Sequence, residues 1–317
     1  MTAPAVSLIL CTVRDPHGYR DHPEWDTIGK VIIDLAAQVD APPFELVIVD
    51  GLHHSRGLAQ QRDVGNVPFP CIHIPPRETV WTRLHKVAIS AFRNTGIAAA
   101  SGELIINLDD CCIIPPNFVA TFWRAWLRHR TALALTWPQR GDQRVPGPVV
   151  RPGGVYGFCS FPRELALEVN GYDECYDGGQ GLEDADMSTR LFHAGLQQAL
   201  IQLPGFDIEA QTSHSPDAID PQRSIVKCCN LAWNTQRVWR NIQVANLAND
   251  WTPEALRRLV GPCILLHKES GMCEHHLWHQ KCAYLEQGFA TELDSEAALV
   301  FNEPPVVNLR KLSEAMR

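Results

Sequence analysis

Positive charge is scarce in this chain. It has 28 lysines and arginines against 36 aspartates and glutamates, for a net charge of −8. That deficit argues against indiscriminate binding to nucleic acid or to an anionic membrane, although a local basic patch stays open. Long apolar runs are missing as well: no stretch approaches the roughly 20 residues that span a bilayer. Met1–Leu10 has neither the basic start nor the length expected of a secretory signal. Internal repeats and low-complexity segments are absent too. The 11 cysteines are not spaced like those of a small secreted scaffold, so they are expected to be mostly reduced thiols in a cytoplasmic protein. The chain has 317 residues, 45% hydrophobic and 20% charged, as in an ordinary globular protein. That length suits one large α/β domain with a smaller appendage.

The first half alternates β-rich runs with helical stretches. Val6–Cys11, Phe44–Val49, Cys71–Ile74 and Glu103–Leu108 read as strands, and Thr27–Val39 and Arg83–Ala100 as helices. Continuous Val/Ile/Leu runs separated by helices indicate a mostly parallel sheet covered on both faces. In such sheets ligands sit beyond the carboxyl ends of the strands. Here those ends carry Thr12-Val13-Arg14, Asp50-Gly51 and Asp109-Asp110, so polar groups gather at one edge. The Pro-, Gly- and Arg-rich Trp137–Gly157 reads as a long loop, of a length that is usually functional or mobile. A further helix is expected over Glu183–Ala194. Strand signals fade after about residue 220, and the remainder looks like a helical C-terminal extension.

Two groups of residues carry chemistry. Asp109 and Asp110 leave a buried strand side by side and repel one another unless a cation or hydrogen-bond donors compensate. A divalent metal bridging phosphate oxygens would do so, since Mg²⁺ takes one or two protein carboxylates plus substrate phosphates; a solvated turn is the plainer alternative. In the second group, a helix starting near Glu183 puts Asp184, Met187 and Leu191 on one inward face, with Asp186 and Arg190 free to pair on the outside. A carboxylate at that position can stabilise the helix start, or it can take a proton from a nucleophile in the cleft.

Together these segments resemble glycosyltransferase family 2 and its GT-A relatives. The matching runs, all within residues 6–195, are Ser7–Arg14 (SLILCTVR), Glu45–Gly51 (ELVIVDG), Arg93–Asp109 (RNTGIAAASGELIINLD) and Gly181–Leu191 (GLEDADMSTRL). The resemblance implies a GT-A, Rossmann-like, mixed but mostly parallel sheet with helices on both faces. It also implies a metal-dependent, inverting glycosyltransferase of hexosyltransferase type. The donor would be a nucleoside-diphosphate sugar, expected to be a UDP-sugar, and the acceptor an unidentified hydroxyl. Residues 1–222 would form the GT-A domain, with a nucleotide-sugar half at about 1–112 and an acceptor half at about 113–222, followed by the helical extension at 223–317. Thr12, Arg14 and Asp50 would hold the nucleotide, Arg93 would lie near the donor, and Asp109 would face ribose and metal. Asp184 would be the general base and Glu183 an acceptor contact. Asp110, Asp109 and His214 would ligate Mn²⁺ or Mg²⁺. One departure stands out: relatives carry Asp-x-Asp, whereas here the run is Asp109-Asp110-Cys111-Cys112. Sulfur is a poor ligand for such hard cations, so Asp110 is expected to take the metal role.

Three further signals are weaker. Phe118–Arg163 contains Arg124, Arg128, Arg130, Arg140, Arg144, Arg151 and Arg163 against one acid, Asp142. This segment is either a patch for an anionic acceptor, such as an acidic glycan or nucleic acid, or a solvated helix face followed by a loop. Cys273, His275, His276, His279 and Cys282 are zinc-ligand types without a strong finger spacing, and a packed helix is the preferred reading. Trp233, Trp239, Trp251 and Trp278 are expected to anchor a helical subdomain rather than stack on sugars. Two rival functions stay in view. A sugar nucleotidyltransferase would favour a glycine-rich basic loop where this chain reads CTVRDPHGY. A degenerate GT-A binding module would have kept the fold and lost metal chemistry at Cys111.

Overall fold

A computed structural model describes residues 3–13, 27–56, 67–79, 82, 88–110, 112–135, 158–174, 177, 183–201, 203–208 and 308–317. The apolar run of β1 (Val6–Thr12) occupies the centre of a five-stranded sheet. Beside it lie β2 (Phe44–Asp50) and β4 (Leu104–Asp109), both parallel to it. β3 (Cys71–Ile74) extends the sheet in parallel beyond β2, and β7 (Ser160–Pro162) closes the other side antiparallel to β4. The order β3-β2-β1-β4-β7 reverses direction at β1, and the crevice at such a reversal is where α/β sheets bind ligands. Register brings the polar strand ends together there: Thr12 is level with Asp50, and Cys11 with Asp109.

Helices cover the sheet because its strands are apolar on both faces. α1 (Thr27–Ala36) follows β1, and the short α2 (His53–Arg56) follows β2. α3 (Ile89–Ala99) is buried along almost its whole length. It can lie that close because Gly96 has no side chain; a Cβ there would stand 2.4 Å from Ile9 Cγ2. The remaining elements build on β4. β5 (Cys112–Ile113) pairs with β9 (Asp207–Ile208). α4 (Phe118–His129) leads into β6 (Thr131–Leu135), which pairs in parallel with β8 (Gln197–Ile201). α5 (Arg163–Glu168) and α6 (Glu183–His193) complete this layer. The core runs from Leu8, Leu10 and Leu46 through Ile105 and Phe118 to Phe158, Phe161, Met187 and Leu191.

The chain reappears at α7 (Leu309–Met316) on the back of α3 and α5. Asn170 Oδ1 accepts from the Leu309 amide at 2.8 Å, and Ser313 Oγ donates to the Ala98 carbonyl at 3.0 Å. This is the described part of the expected helical extension; Trp233, Trp239, Trp251, Trp278 and the Cys273–Cys282 segment lie outside the described residues. Cys11, Cys71, Cys112 and Cys159 are free thiols, as expected of reduced cysteines. Among the described residues, no helix is long and apolar enough to cross a membrane.

One expectation is corrected here. Asp186 and Arg190 do pair at the four-residue spacing, but inside the protein rather than outside it. Asp186 Oδ2 lies 2.8 Å from Nε and 2.7 Å from Nη2 of Arg190, and both residues are buried. Arg190 Nη1 also donates to the carbonyls of Val169 (2.8 Å) and Gly171 (2.7 Å). The last carbonyls after a helix have no intrahelical donor, and the end of α5 recruits Arg190 to supply one. Four-residue spacing sets which side chains meet; the neighbouring helix end decides that they meet in the interior.

Candidate active site

At the carboxyl ends of the central strands, Thr12 Oγ1 donates to Asp110 Oδ2 at 2.6 Å, joining the ends of β1 and β4. Asp50, fully buried, accepts the Leu52 amide on Oδ1 (2.8 Å) and faces His73 Nε2 through Oδ2 (3.0 Å). The Gly51 amide donates to the Thr12 carbonyl at 2.9 Å, so the Thr12 and Asp50 ends are tied into one unit. His53 meets His73 edge-on with ring centroids 4.7 Å apart. Desolvation first, then the neighbouring imidazoles, hold His53 below the ordinary histidine value. His73 was not singled out from sequence; its signal was an imidazole inside an otherwise apolar strand, CIHI. Arg14 and Cys111 lie outside the described residues.

The second half of the site forms around Arg93, on α3. Its Nη1 donates to Glu183 Oε1 at 3.1 Å, and its guanidinium lies over the Tyr172 ring, 5.0 Å from the centroid. Burial works against the charge. The neighbouring Tyr172, Glu183 and Asp109 outweigh it and hold the guanidinium firmly protonated, above the ordinary arginine value. Tyr172 Oη accepts from Asn107 Nδ2 at 2.6 Å, which links this cluster to β4 two residues before Asp109. The hydroxyl is pushed well up, by burial first, with Asp184 and Glu183 contributing. Cys159 is likewise raised by burial, and it senses the charges of Arg93, Asp184 and Asp109. Cys11, beside Asp109 in register, is pushed up to about 12 by burial. These thiols stay protonated at neutral pH and form a neutral floor rather than nucleophiles.

The two expected groups of acids meet at one buried arginine. Glu183, the first residue of α6, bonds Arg93 Nη1, and Asp109 at the end of β4 acts on the same guanidinium, while Asp184 acts on the neighbouring Tyr172 and Cys159. Glu183 is buried and tied to Arg93, while Asp184 is only half-buried. Asn94, next to Arg93, locks the segment that carries Tyr172. Its Nδ2 donates to the Tyr172 carbonyl (2.8 Å) and to Glu174 Oε1 (2.9 Å), and its Oδ1 accepts the Tyr172 amide (2.8 Å). Arg77 pairs with the other Glu174 oxygen. Asp177 accepts the Ser90 and Ala91 amides (2.8 and 3.0 Å) at the start of α3. Periodicity and motif spacing do not single out Tyr172 or Cys159; Asn107, a polar residue inside the buried run LIINLD, is the one signal of this cluster in the sequence.

As a donor set for a cation, Asp109 and Asp110 are hard oxygen ligands on consecutive residues, with Asp109 half-buried at the strand end. Mg²⁺ or Mn²⁺ bound beside phosphates needs no more than one or two protein carboxylates, so this pair fits. Among the described residues no group of three or more candidate metal ligands comes together, and His214 lies outside them. Of the described arginines of the basic segment, Arg128 is exposed on α4. Arg124 pairs with Asp40, and Arg130 with Glu103 (3.2 and 3.0 Å). Arg163 is buried against Glu164 and Ser313, and Arg140, Arg144 and Arg151 lie outside the described residues.

Residues 22–151 match the model of glycosyl transferase family 2. No curated protein matches the chain. Among solved structures, S. aureus TarS 1–349 in complex with UDP-GlcNAc aligns with a TM-score of 0.58 at 13% identity, over 98% of this chain and 90% of that one. A second structure of S. aureus TarS 1–349 aligns at 0.55 and 14% identity, with the same coverage.

Proposed function

We propose, from the premise that this chain is a glycosyl transferase family 2-like protein with the GT-A fold, that it transfers a hexose from a UDP-sugar to a hydroxyl acceptor, with Asp184 as general base. The meeting of Asp109 and Glu183 at Arg93, with Asp184 next to Glu183 at the start of α6, carries this reading. One acid comes from the nucleotide half at about 1–112, the other from the acceptor half at about 113–222, and a displacement needs a leaving group and a base in the same cleft. UDP is favoured as the nucleotide because the similar TarS structures hold UDP-GlcNAc and UDP.

In this reading Thr12, Asp50 and Arg14 orient the nucleotide at the carboxyl ends of β1 and β2. Asp109 and Asp110, with His214, would hold a divalent cation, Mn²⁺ or Mg²⁺, whose charge would stabilise the leaving diphosphate. Asp184 takes the acceptor hydroxyl proton as that oxygen attacks the anomeric carbon, and a single displacement inverts the configuration. Glu183, bonded to Arg93 through Oε1 at 3.1 Å, would serve as the acceptor contact. An anionic acceptor would have to be recognised by Arg140, Arg144 or Arg151. Cytoplasmic location belongs to the same proposal.

Asp184→Asn tests it. The substitution removes the proton acceptor at nearly constant size, and general-base catalysis is worth about 10²–10⁴-fold. Transfer to a hydroxyl acceptor in the presence of Mn²⁺ should fall by that factor, while UDP affinity measured by calorimetry stays near wild type. A well-folded Asp184→Asn protein that keeps most of its transferase activity would remove Asp184 from the mechanism.

A further inference from the structure

Arg93 is the residue whose setting says more than its sequence motif. Arg93 is only 6% exposed. Its guanidinium is committed on two sides, to Glu183 Oε1 and to the face of Tyr172. Tyr172 is itself fixed, through Asn94 to α3 and through Asn107 to β4. Glu183 is the first residue of α6, so whatever holds Glu183 sets the position of Asp184 one residue later. The second oxygen of Glu183, Oε2, is buried and makes no hydrogen bond, so Glu183 is held inside the protein from the Arg93 side alone.

We propose that Arg93 is a positioning residue: it clamps Glu183 and so fixes the start of α6, placing Asp184 for proton abstraction. This rests on the transferase reading above, and it moves Arg93 from the donor to the acceptor side of the reaction. The charge balance agrees. Arg93 bonds Glu183 and acts on Asp109, and a fixed cation there lets carboxylates from two elements gather in a dry site without separating.

Arg93→Lys is the informative substitution, because it keeps the charge but loses the planar fork that bonds Glu183 and stacks on Tyr172. Misplacing a reacting group by about 1 Å can cost about 10²-fold, and a drop of that order is expected in kcat for transfer. UDP affinity by calorimetry should change less than about twofold, since the residue acts through another group rather than on the donor. In an Asp184→Asn background the same substitution should add almost nothing, because its effect passes through Asp184. Amide hydrogen exchange in the first turn of α6 should rise in Arg93→Lys relative to the rest of that helix. The exchange readout needs no activity, so a wild-type protein without transferase activity would sink the functional reading while the clamp could still be decided. Parallel losses in UDP affinity and kcat would make Arg93 a donor contact. Additive effects with Asp184→Asn, or unchanged exchange at the start of α6, would overturn the proposal. If Arg93→Lys does not fold, Glu183→Gln, which weakens the clamp from its other end, must give the same rise in exchange.

Discussion

Arg190 offers the sharpest test of how the site is held. Arg190→Met removes one side chain and strands three acceptors: the buried Asp186 carboxylate and the carbonyls of Val169 and Gly171. Breaking a buried ion pair from one side costs about 3–5 kcal/mol, because the remaining charge is left uncompensated. Each orphaned carbonyl would add about 1–3 kcal/mol if water could not reach it. Local relaxation will recover part of this, so an expected loss of about 4 kcal/mol stands against a total stability of about 5–15 kcal/mol. Urea denaturation followed by far-ultraviolet circular dichroism measures it, and the midpoint should drop sharply. The double variant Arg190→Met/Asp186→Leu is the control that identifies the cause. It also removes the stranded charge, so it should be more stable than the single variant by about 2 kcal/mol or more. Single and double variants of equal stability, or a single variant losing less than about 1 kcal/mol, would refute the argument that Arg190 compensates a buried charge.

Two further outcomes follow from the same geometry. UDP should bind more weakly in EDTA than with Mn²⁺, by an order of magnitude or more. Asp109-Asp110 and the diphosphate would then face each other uncompensated, and like charges 4 Å apart repel by about 4 kcal/mol at an effective dielectric of 20; equal affinities by calorimetry would remove the metal assignment. Asp177 is pushed well above the ordinary carboxylate range by burial first and then by Glu174. A carboxyl raised on folding contributes stability that is present at low pH and lost as pH rises through its native value. The stability gap between wild type and Asp177→Asn, which cannot titrate there, should therefore narrow as pH rises from about 4 in thermal melts; a gap that widens with pH would reverse the assignment.

Much of the fold was legible because its central strands are unambiguous. VSLILCT, FELVIVD and LIINLD are continuous apolar runs, and only a sheet covered on both faces buries such runs. Their ends carried the polar residues, so the cleft was legible with them. β5, β7 and β9 have two or three residues each, too few for any periodicity to register. The helix over Glu183–His193 and its inward Met187 and Leu191 were legible from spacing. The burial of Asp186–Arg190 was not, because spacing on one helix carries no information about the carbonyls of another.

The same limit explains why the Arg-Asn-x-Gly run could be recognised but not explained. Each of its residues answers a different distant partner. Gly96 makes room for Ile9 on β1. Asn94 fixes Tyr172, 78 residues later. Arg93 reaches Glu183, 90 residues later. Periodicity reports only neighbours within a few turns of chain, so none of these partners can be inferred from spacing. What the sequence does show is three chemically distinct demands, for a cation, an amide and no side chain at all, packed into four positions. A helix buried along nearly its whole length makes such demands cheap to satisfy, because every side chain on it already faces another element. The buried cation on α3 can then hold Glu183, at the start of α6, near the end of β4. In this protein the packing of α3 on β1 and the geometry of the candidate site are one arrangement, because the helix that needs Gly96 to approach Ile9 is the helix that carries Arg93.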